Sequence, residues 1–320
     1  MFLYTLRRIN LFIITLLILT LVGYSLLRLD TDSAWAHADF FSGWYRYLLE
    51  LIQFNFGTNQ QGLPISEELK IVFPATLELC VTAFFVSLLI GLPAGVLAGM
   101  KPGKWQDTVI SFLSMAGSSA PIFWIAMLLI MTFSLHLAFF PVSGRYNLLY
   151  EIPNVTGFAS IDALLSDSAY RMAAFYSVLR HMALPVVVLA LFPTMQMIIL
   201  IRNSVTDVMK NNYIRVARIR GLSNVQIIVK HVLHNAIPPV LPKIGAQLSS
   251  MMALVFITES IFNWPGIGRW LLDALFNRDF QSIQAGVMVV ATVVLTANIL
   301  SELLAVLINP RMRNDWYAAK

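Results

Sequence analysis

A basic, glycine-containing segment in the second half of the chain has the residue types needed to hold a partner protein. It runs from Tyr213 to Pro239 and reads YIRVARIRGLSNVQIIVKHVLHNAIPP. Arginine guanidinium groups pair with carboxylates, and glycine can end a helix because it adopts the left-handed backbone conformation. Apolar runs at residues 184–201 and 241–262 flank the segment, and both are long enough to lie in a bilayer. The pattern predicts a structured docking loop on one side of a membrane.

The start of this segment is expected to form a short helix. On such a helix Ile214, Ala217 and Gly221 share one face. The small residues Ala217 and Gly221 predict close approach to another surface, with Arg215 and Arg218 alongside for ion pairing. The alternative is a solvated basic loop of the kind that most membrane proteins possess. That alternative explains the arginines but not the spacing of the other residues.

The composition is that of a membrane protein. Of 320 residues, 58% are hydrophobic and 12% are charged, and the mean hydropathy is +0.72. Ordinary globular chains have about 25% charged residues. The net charge of +5 does not indicate nucleic-acid binding, since the positive residues flank apolar runs instead of forming one soluble face.

The residues give no support for catalysis or for a bound cofactor. The single cysteine, Cys80, lies in an apolar run and has no partner for an intrachain disulfide. Lys104 follows a glycine but precedes Trp105, so it does not belong to a phosphate-binding loop. His231 and His234 are close in sequence but lack further zinc ligands nearby. We expect no enzyme activity, cofactor or metal site.

Six runs are apolar and long enough to span a bilayer as helices, for which about 20 residues suffice. They lie at residues 9–27, 74–100, 109–140, 181–201, 241–262 and 283–308. The third is long and contains Pro121, which predicts a kink or a tilt. A cleaved signal peptide ending near Ala34 is the alternative for the first run, but that run exceeds the usual length of about 7–15 residues. The expected fold class is all-α.

The charge distribution predicts the orientation in the membrane. Of the 22 Lys and Arg residues, 14 fall in segments that share a side with both termini, and eight fall on the other side. Positive residues favour the cytoplasm, so both termini and the basic segment are predicted to be cytoplasmic. The loops at 28–73 and 141–180 are then external. Their aromatic content predicts short helices at the outer interface that form part of a docking surface.

With these features in place, the basic segment resembles the coupling loop of ABC importer permeases. Arg215-Val216-Ala217 followed by Gly221 has the spacing of that loop's Glu-Ala-Ala…Gly pattern. The positions that match the version found in the dipeptide/oligopeptide (Dpp/Opp) group are Tyr213, Ala217, Arg218, Gly221, Leu222, His231, Leu233, Asn235 and Ala236. Arg215 departs from the general pattern, which has glutamate there, although the peptide subgroup commonly has arginine.

A second stretch, TESIFNWPGIGRWLLDAL from Thr258, is similar to the segment after the fifth span of those permeases. Glu259 lies at the end of a predicted span, where an ionisable group is costly. It is therefore a candidate for the transport path or its gate, and the alternative is a carboxylate that reaches the membrane interface without a role in transport. Trp264 and Trp270 are typical of a membrane interface. Asp279 is followed by Phe280 where relatives often have Asp-Tyr-Pro, which favours the Sap-type branch.

The second span adds two observations. Gly91, Gly95 and Gly99 recur every four residues, which predicts close helix packing within the subunit. Glu78 near the outer end of this span and Glu302 in the last span are further acids inside the predicted membrane segments, with no role assigned.

The resemblance implies a type I ABC importer permease with six spans in the bacterial inner membrane. It implies an N-terminal helix and external loop at 1–73, a permease domain at 74–308 with a coupling loop at 203–240, and a cytoplasmic tail at 309–320. Implied partners are a second permease, two ATP-binding subunits, a periplasmic solute-binding protein and membrane lipid. The residues implied to contact the ATPase are Tyr213, Arg215, Ala217, Arg218, Gly221 and Asn235.

The cargo implied by the resemblance is peptides, including antimicrobial peptides, or related small cationic solutes. A polyamine or nickel is the alternative cargo, and a self-sufficient secondary transporter or channel is the alternative class. A self-sufficient transporter usually has internal repeats and several charges within its spans. The sequence has no obvious repeat, which favours the ABC permease. Cargo identity and transport direction do not follow from the residues themselves.

Overall fold

The computed structural model describes residues 2–30 and 35–308, with side chains from residue 5 onward. Ala34, the predicted cleavage position, lies outside the described residues. So does the predicted tail at 309–320, including the three basic residues counted there for the orientation.

The described residues are almost entirely helical. The α-helices are α1 Phe2–Leu27, α2 Phe40–Ile52, α3 Ile65–Met100, α4 Trp105–Ser119, α5 Ile122–Leu129, α6 Ala159–Leu165, α7 Arg171–Met209, α8 Asn212–Ile219, α9 Asn224–Ile227, α10 His234–Ala236, α11 Leu241–Ile261, α12 Ile267–Phe276 and α13 Phe280–Ile308. Two π-helical stretches, Ile130–His136 and Ile228–Leu233, continue α5 and α9. Only one isolated β-bridge, between Thr58 and Pro64, occurs among these residues. The predicted all-α class is confirmed.

Five helices in the described part of the chain are long and apolar enough to cross a membrane: α1, α3, α7, α11 and α13. The kink predicted at Pro121 in the run at 109–140 is confirmed. Helix α4 and the helix that starts at Ile122 meet at 100°, and only if they are counted together do they make a sixth span. Ala120 is extended, with φ −77° and ψ 132°, because the ring of Pro121 disfavours a helical residue before it.

The helices form two units. One contains Met1–Leu79, Ile130–Ala183 and Val255–Thr296, and the other contains Cys80–Leu129, Leu184–Leu254 and Ala297–Lys320. In the second unit a buried apolar core includes Met197, Ile201 and Val205 of α7. Ile214 of α8 and Ile227 of α9 belong to the same core, so the basic segment is held against α7 by packed side chains.

The glycine stripe on α3 also lies in the second unit and packs against α7. A Cβ atom on Gly95 would lie 2.8 Å from Cβ of Ile201, and one on Gly99 would lie 2.6 Å from the carbonyl oxygen of Arg202. Real Cβ atoms do not approach that closely, so only glycine permits this helix separation. The predicted close packing within the subunit is confirmed.

In the first unit, α2 and α6 are short helices inside the two long loops, as the sequence predicted. Helix α2 buries Tyr47, whose ring centre lies 5.9 Å from that of Tyr24 on α1. The opposite side of α2 exposes Phe41, Tyr45 and Ile52, with 74%, 62% and 73% of each residue accessible. Helix α2 therefore has one apolar side packed against α1 and a second apolar side that no described residue covers.

Candidate coupling helix and the buried carboxylates

Helix α8 forms where the sequence predicted a short helix, but the face predicted for a partner is occupied. Ile214 is 1% exposed and Ala217 is 5% exposed, and both pack into the core of the second unit. Ala217 therefore packs within its own subunit, and its part in the ATPase contact stays a prediction. The buried pair instead fixes α8 to the chain that it belongs to.

Gly221 ends α8 as predicted. Its φ is +80°, in the left-handed region that favours glycine. The Gly221 N–H donates to the carbonyl oxygen of Arg218 at 3.0 Å, and the Leu222 N–H donates to that of Ala217 at 3.2 Å. This is the two-bond pattern of a Schellman motif. A Cβ atom on Gly221 would have no other atom within 4 Å, so here the backbone angle and not the available space requires glycine.

The outward surface of α8 combines positive and apolar groups. Arg215, Arg218 and Arg220 are exposed, and none of them forms an ion pair with any residue in the described ranges. Ile219 is 79% exposed, which is unusual for an isoleucine beside three solvated cations. Tyr213 is 42% exposed at the start of the helix. This surface can pair with carboxylates and bury an apolar side chain in the same contact.

The rest of the segment returns the chain to α11. A capping box starts α9: the Gln226 N–H donates to Oγ of Ser223 at 3.3 Å, and the Ser223 N–H donates to Oε1 of Gln226 at 2.9 Å. The Ser-x-x-Gln spacing was a readable signal for this helix start that the sequence analysis missed. Asn235, a predicted coupling residue, is exposed, and its side-chain amide donates to the carbonyl oxygen of His231 at 2.7 Å.

Glu259 lies in the first unit, away from the coupling residues in sequence, and is completely buried. Its carboxylate accepts hydrogen bonds from Oγ1 of Thr76 at 2.6 Å and from the N–H groups of Gly268 and Arg269 at 2.7 and 3.1 Å. Those two amides belong to the first turn of α12, where the N–H of Ile267 donates to Oγ1 of Thr76 at 2.7 Å. Glu259 therefore caps α12, and its place in the transport path or gate stays a prediction.

The turn between α11 and α12 is also buried. The indole N–H of Trp264 donates to the carbonyl oxygen of Ala75 at 3.0 Å, and the residue is 0% exposed. The indole of Trp264 is thus used to bind α3, and its level in the membrane stays a prediction. The indole of Trp270, which is partly buried, donates to Glu68 at 2.9 Å.

Glu78, a second buried acid of the first unit, is paired with a residue that the sequence analysis did not single out. Arg145 donates from Nη2 and Nε to Oε2 of Glu78 at 2.5 and 3.2 Å. Ala159 and Ser160 donate their N–H groups to the same carboxylate at 3.1 and 2.7 Å, at the start of α6. Arg145 also donates to the carbonyl oxygen of Gly157 at 2.6 Å. The Arg145 side chain thus ties the loop before α6 to α3.

Comparison with known proteins agrees with this architecture. A family model described as "Binding-protein-dependent transport system inner membrane component" matches residues 91–314. The chain is 46% identical over 321 residues to the putrescine export system permease protein SapB of Escherichia coli K12, covering all of both chains. It is also 46% identical, over the full length of both chains, to the peptide transport system permease protein SapB of Salmonella typhimurium.

A second group of relatives covers most of the chain. The di/tripeptide transport system permease protein DppB of Pseudomonas aeruginosa is 41% identical over 272 residues, which is 84% of this chain and 80% of the relative. The predicted resemblance to the dipeptide/oligopeptide group and its Sap-type branch is therefore confirmed. This is a family of transport permeases and not a class of enzymes. With a full-length match to Sap-type permeases and a helical, multi-span fold, the chain belongs to the family of inner membrane components of binding-protein-dependent transport systems.

Proposed function

We propose that this chain is one of two permease subunits of an ATP-driven transporter that moves peptides or related small cationic solutes across the bacterial inner membrane. The observation that carries the proposal is α8: a short helix anchored by two buried residues and ended by a left-handed glycine, whose outward arginines form no ion pair with the described residues. Such a surface is suited to an acidic groove on an ATPase.

The proposed partners are a second permease, two ATP-binding subunits and a periplasmic solute-binding protein. Tyr213, Arg215, Arg218 and Gly221 form or shape the ATPase contact, with Asn235 supporting the segment behind it. Ala217 contributes by anchoring α8 to its own core. Because α8 packs directly on α7, a displacement of α8 during ATPase closure is passed to a spanning helix through rigid, close-packed contacts.

Peptides are the first proposed cargo, since relatives in two branches are named for peptide or di/tripeptide transport. A small polyamine is the second, because an equally similar relative is named for putrescine export. In this proposal Glu259 affects gating only indirectly, by fixing the turn at Trp264 and the start of α12.

Co-purification tests the proposed function. The tagged chain, expressed with the neighbouring transporter subunits of its own organism, should retain the ATP-binding subunits through detergent extraction. Proteoliposomes containing the whole complex should move labelled peptide or putrescine only when ATP is supplied on the cytoplasmic side. Transport of either solute by the chain alone, driven by a gradient without ATPase subunits, would favour a self-sufficient transporter and overturn the proposal.

The proposed orientation has both termini in the cytoplasm. The loop and first helix at 1–73 precede a permease domain at 74–308, whose coupling loop at 203–240 is cytoplasmic, as is the tail at 309–320. Single cysteines introduced after Cys80→Ala test this, because Arg220 and Tyr45 are both exposed whereas Cys80 is buried. A membrane-impermeant maleimide added to intact spheroplasts should label Tyr45→Cys and not Arg220→Cys. The reverse pattern would contradict the orientation.

A further inference from the structure

The first unit contains a cavity of about 980 Å³ that the proposed function does not use. It lies between the end of α2, the first turns of α3, the loop at 154–157 and the middle of α13. Its size is at the upper end of the roughly 300–1,000 Å³ typical of small-molecule sites. Most of its wall is apolar, with side chains that include Phe54, Phe56, Phe73, Met288, Val289 and Val293.

Two opposite charges stand at the rim of this cavity. Lys70 and Glu67 are one turn apart on α3, with Nζ and Oε1 separated by 2.7 Å, and their side chains are 69% and 63% exposed. An exposed pair of this kind is weak, so its two charges remain available to a ligand. Both residues precede Pro74, where the apolar run of α3 begins. The charges therefore stand at the level of a lipid headgroup.

The apolar wall continues from that level into the hydrocarbon region. Met288 and Val293 lie in the apolar run of α13, a helix long enough to span the bilayer. At the rim, the cavity borders the end of α2, whose exposed apolar side is typical of a helix lying in a membrane interface. Phe54, which follows α2 directly, is 76% exposed and lines the cavity.

We propose that this cavity binds one phospholipid with a zwitterionic, amine-bearing headgroup. The acyl chain lies on the apolar wall, the phosphate pairs with the ammonium group of Lys70, and the headgroup amine pairs with the carboxylate of Glu67. An extended peptide fits this cavity less well, because many of its backbone N–H and C=O groups would face the apolar part of the wall, which cannot hydrogen-bond to them. The lipid lies in the outer leaflet, and this assignment alone rests on the proposed function and its orientation.

Native mass spectrometry of the purified transporter complex tests the proposal. The complex is delipidated and then supplied with phosphatidylethanolamine or phosphatidylglycerol at equal concentration. We expect one tightly held phosphatidylethanolamine and at least fivefold weaker retention of phosphatidylglycerol. Val293→Trp fills the cavity and should abolish retention, whereas Lys70→Gln should reduce it severalfold.

Two matched variants control for general effects. Val287→Trp places the same side chain on the same helix at an exposed position outside the cavity. Lys210→Gln removes a lysine from another exposed lysine–acid pair with the same spacing, which it forms with Asp207. Both controls should retain lipid as the unmodified complex does.

Three results would overturn the proposal. The first is equal lipid retention by Val293→Trp and Val287→Trp. The second is loss of the second permease, and not of lipid, from Val293→Trp, which would make the cavity a subunit interface. The third is retention unchanged by Lys70→Gln, a surface substitution that does not threaten folding. Since lipid mass is measured and not transport, failure of the proposed transport function would leave these results interpretable.

Discussion

Replacing Gly221 by valine should abolish most transport while the permease stays inserted and abundant. Gly221 has φ +80°, and a β-branched residue in the left-handed region costs about 1–2 kcal/mol. The expected response is loss of the hydrogen bonds to Arg218 and Ala217 and fraying of the end of α8. A cost of this size changes the population of the coupling-competent conformation roughly tenfold. Transport by proteoliposomes and ATPase co-purification should both fall.

The controls for this prediction separate backbone angle from bulk and charge. Gly221→Asn adds a side chain that tolerates the left-handed region, and space is open there, so it should retain most of the transport. Lys210→Ala removes an exposed charge that pairs only with Asp207 among the described residues, so it should have little effect. If Gly221→Asn fails as completely as Gly221→Val, contact with the partner and not the backbone angle requires glycine.

Replacing Arg145 by alanine should strongly destabilise the first unit. The substitution leaves the carboxylate of Glu78, which is 2% exposed, without its guanidinium partner. Removing one partner of a buried ion pair typically costs about 3–5 kcal/mol. It also frees the carbonyl oxygen of Gly157. Thermal unfolding of the purified complex, followed by fluorescence, should shift to markedly lower temperature.

A second substitution tests whether the negative charge of Glu78 causes the destabilisation in Arg145→Ala. Adding Glu78→Gln to Arg145→Ala removes the negative charge, so the double variant should unfold at a higher temperature than Arg145→Ala alone. Arg171→Ala, an exposed arginine at the start of α7, should leave the unfolding temperature nearly unchanged. A double variant less stable than Arg145→Ala would show that the role of Arg145 is packing against its neighbours and not neutralisation of Glu78.

The sequence predicted what depends on local chemistry. The helical conformation of α8 and its end at Gly221 follow from residues only a few positions apart. The surface against which its small-residue face packs does not follow from such nearby residues. Ala217 could meet either a partner or the chain's own core, and the core of α7 and α9 that covers it is assembled from distant segments. Local spacing cannot distinguish the two surfaces.

The buried acids illustrate the same limit. Glu259 lies nine residues before Gly268, so a cap on α12 was accessible to local reasoning. Its other partner, Thr76, is 183 residues away. Arg145 and Glu78 are 67 residues apart, and Arg145 stands in a loop with no pattern that points to α3. An acid in an apolar run indicates that burying a carboxylate costs free energy, which a partner must offset. Only the folded chain identifies that partner.

Helix α7 is 39 residues long, which corresponds to about 58 Å at 1.5 Å per residue. The hydrocarbon core of a bilayer is about 30 Å thick, so α7 is about twice as long as that core is thick. Its two internal prolines, Pro185 and Pro193, each remove a backbone hydrogen bond, so the helix bends most easily there. Bending of α7 is therefore expected to concentrate at these two positions and not to be spread along the helix.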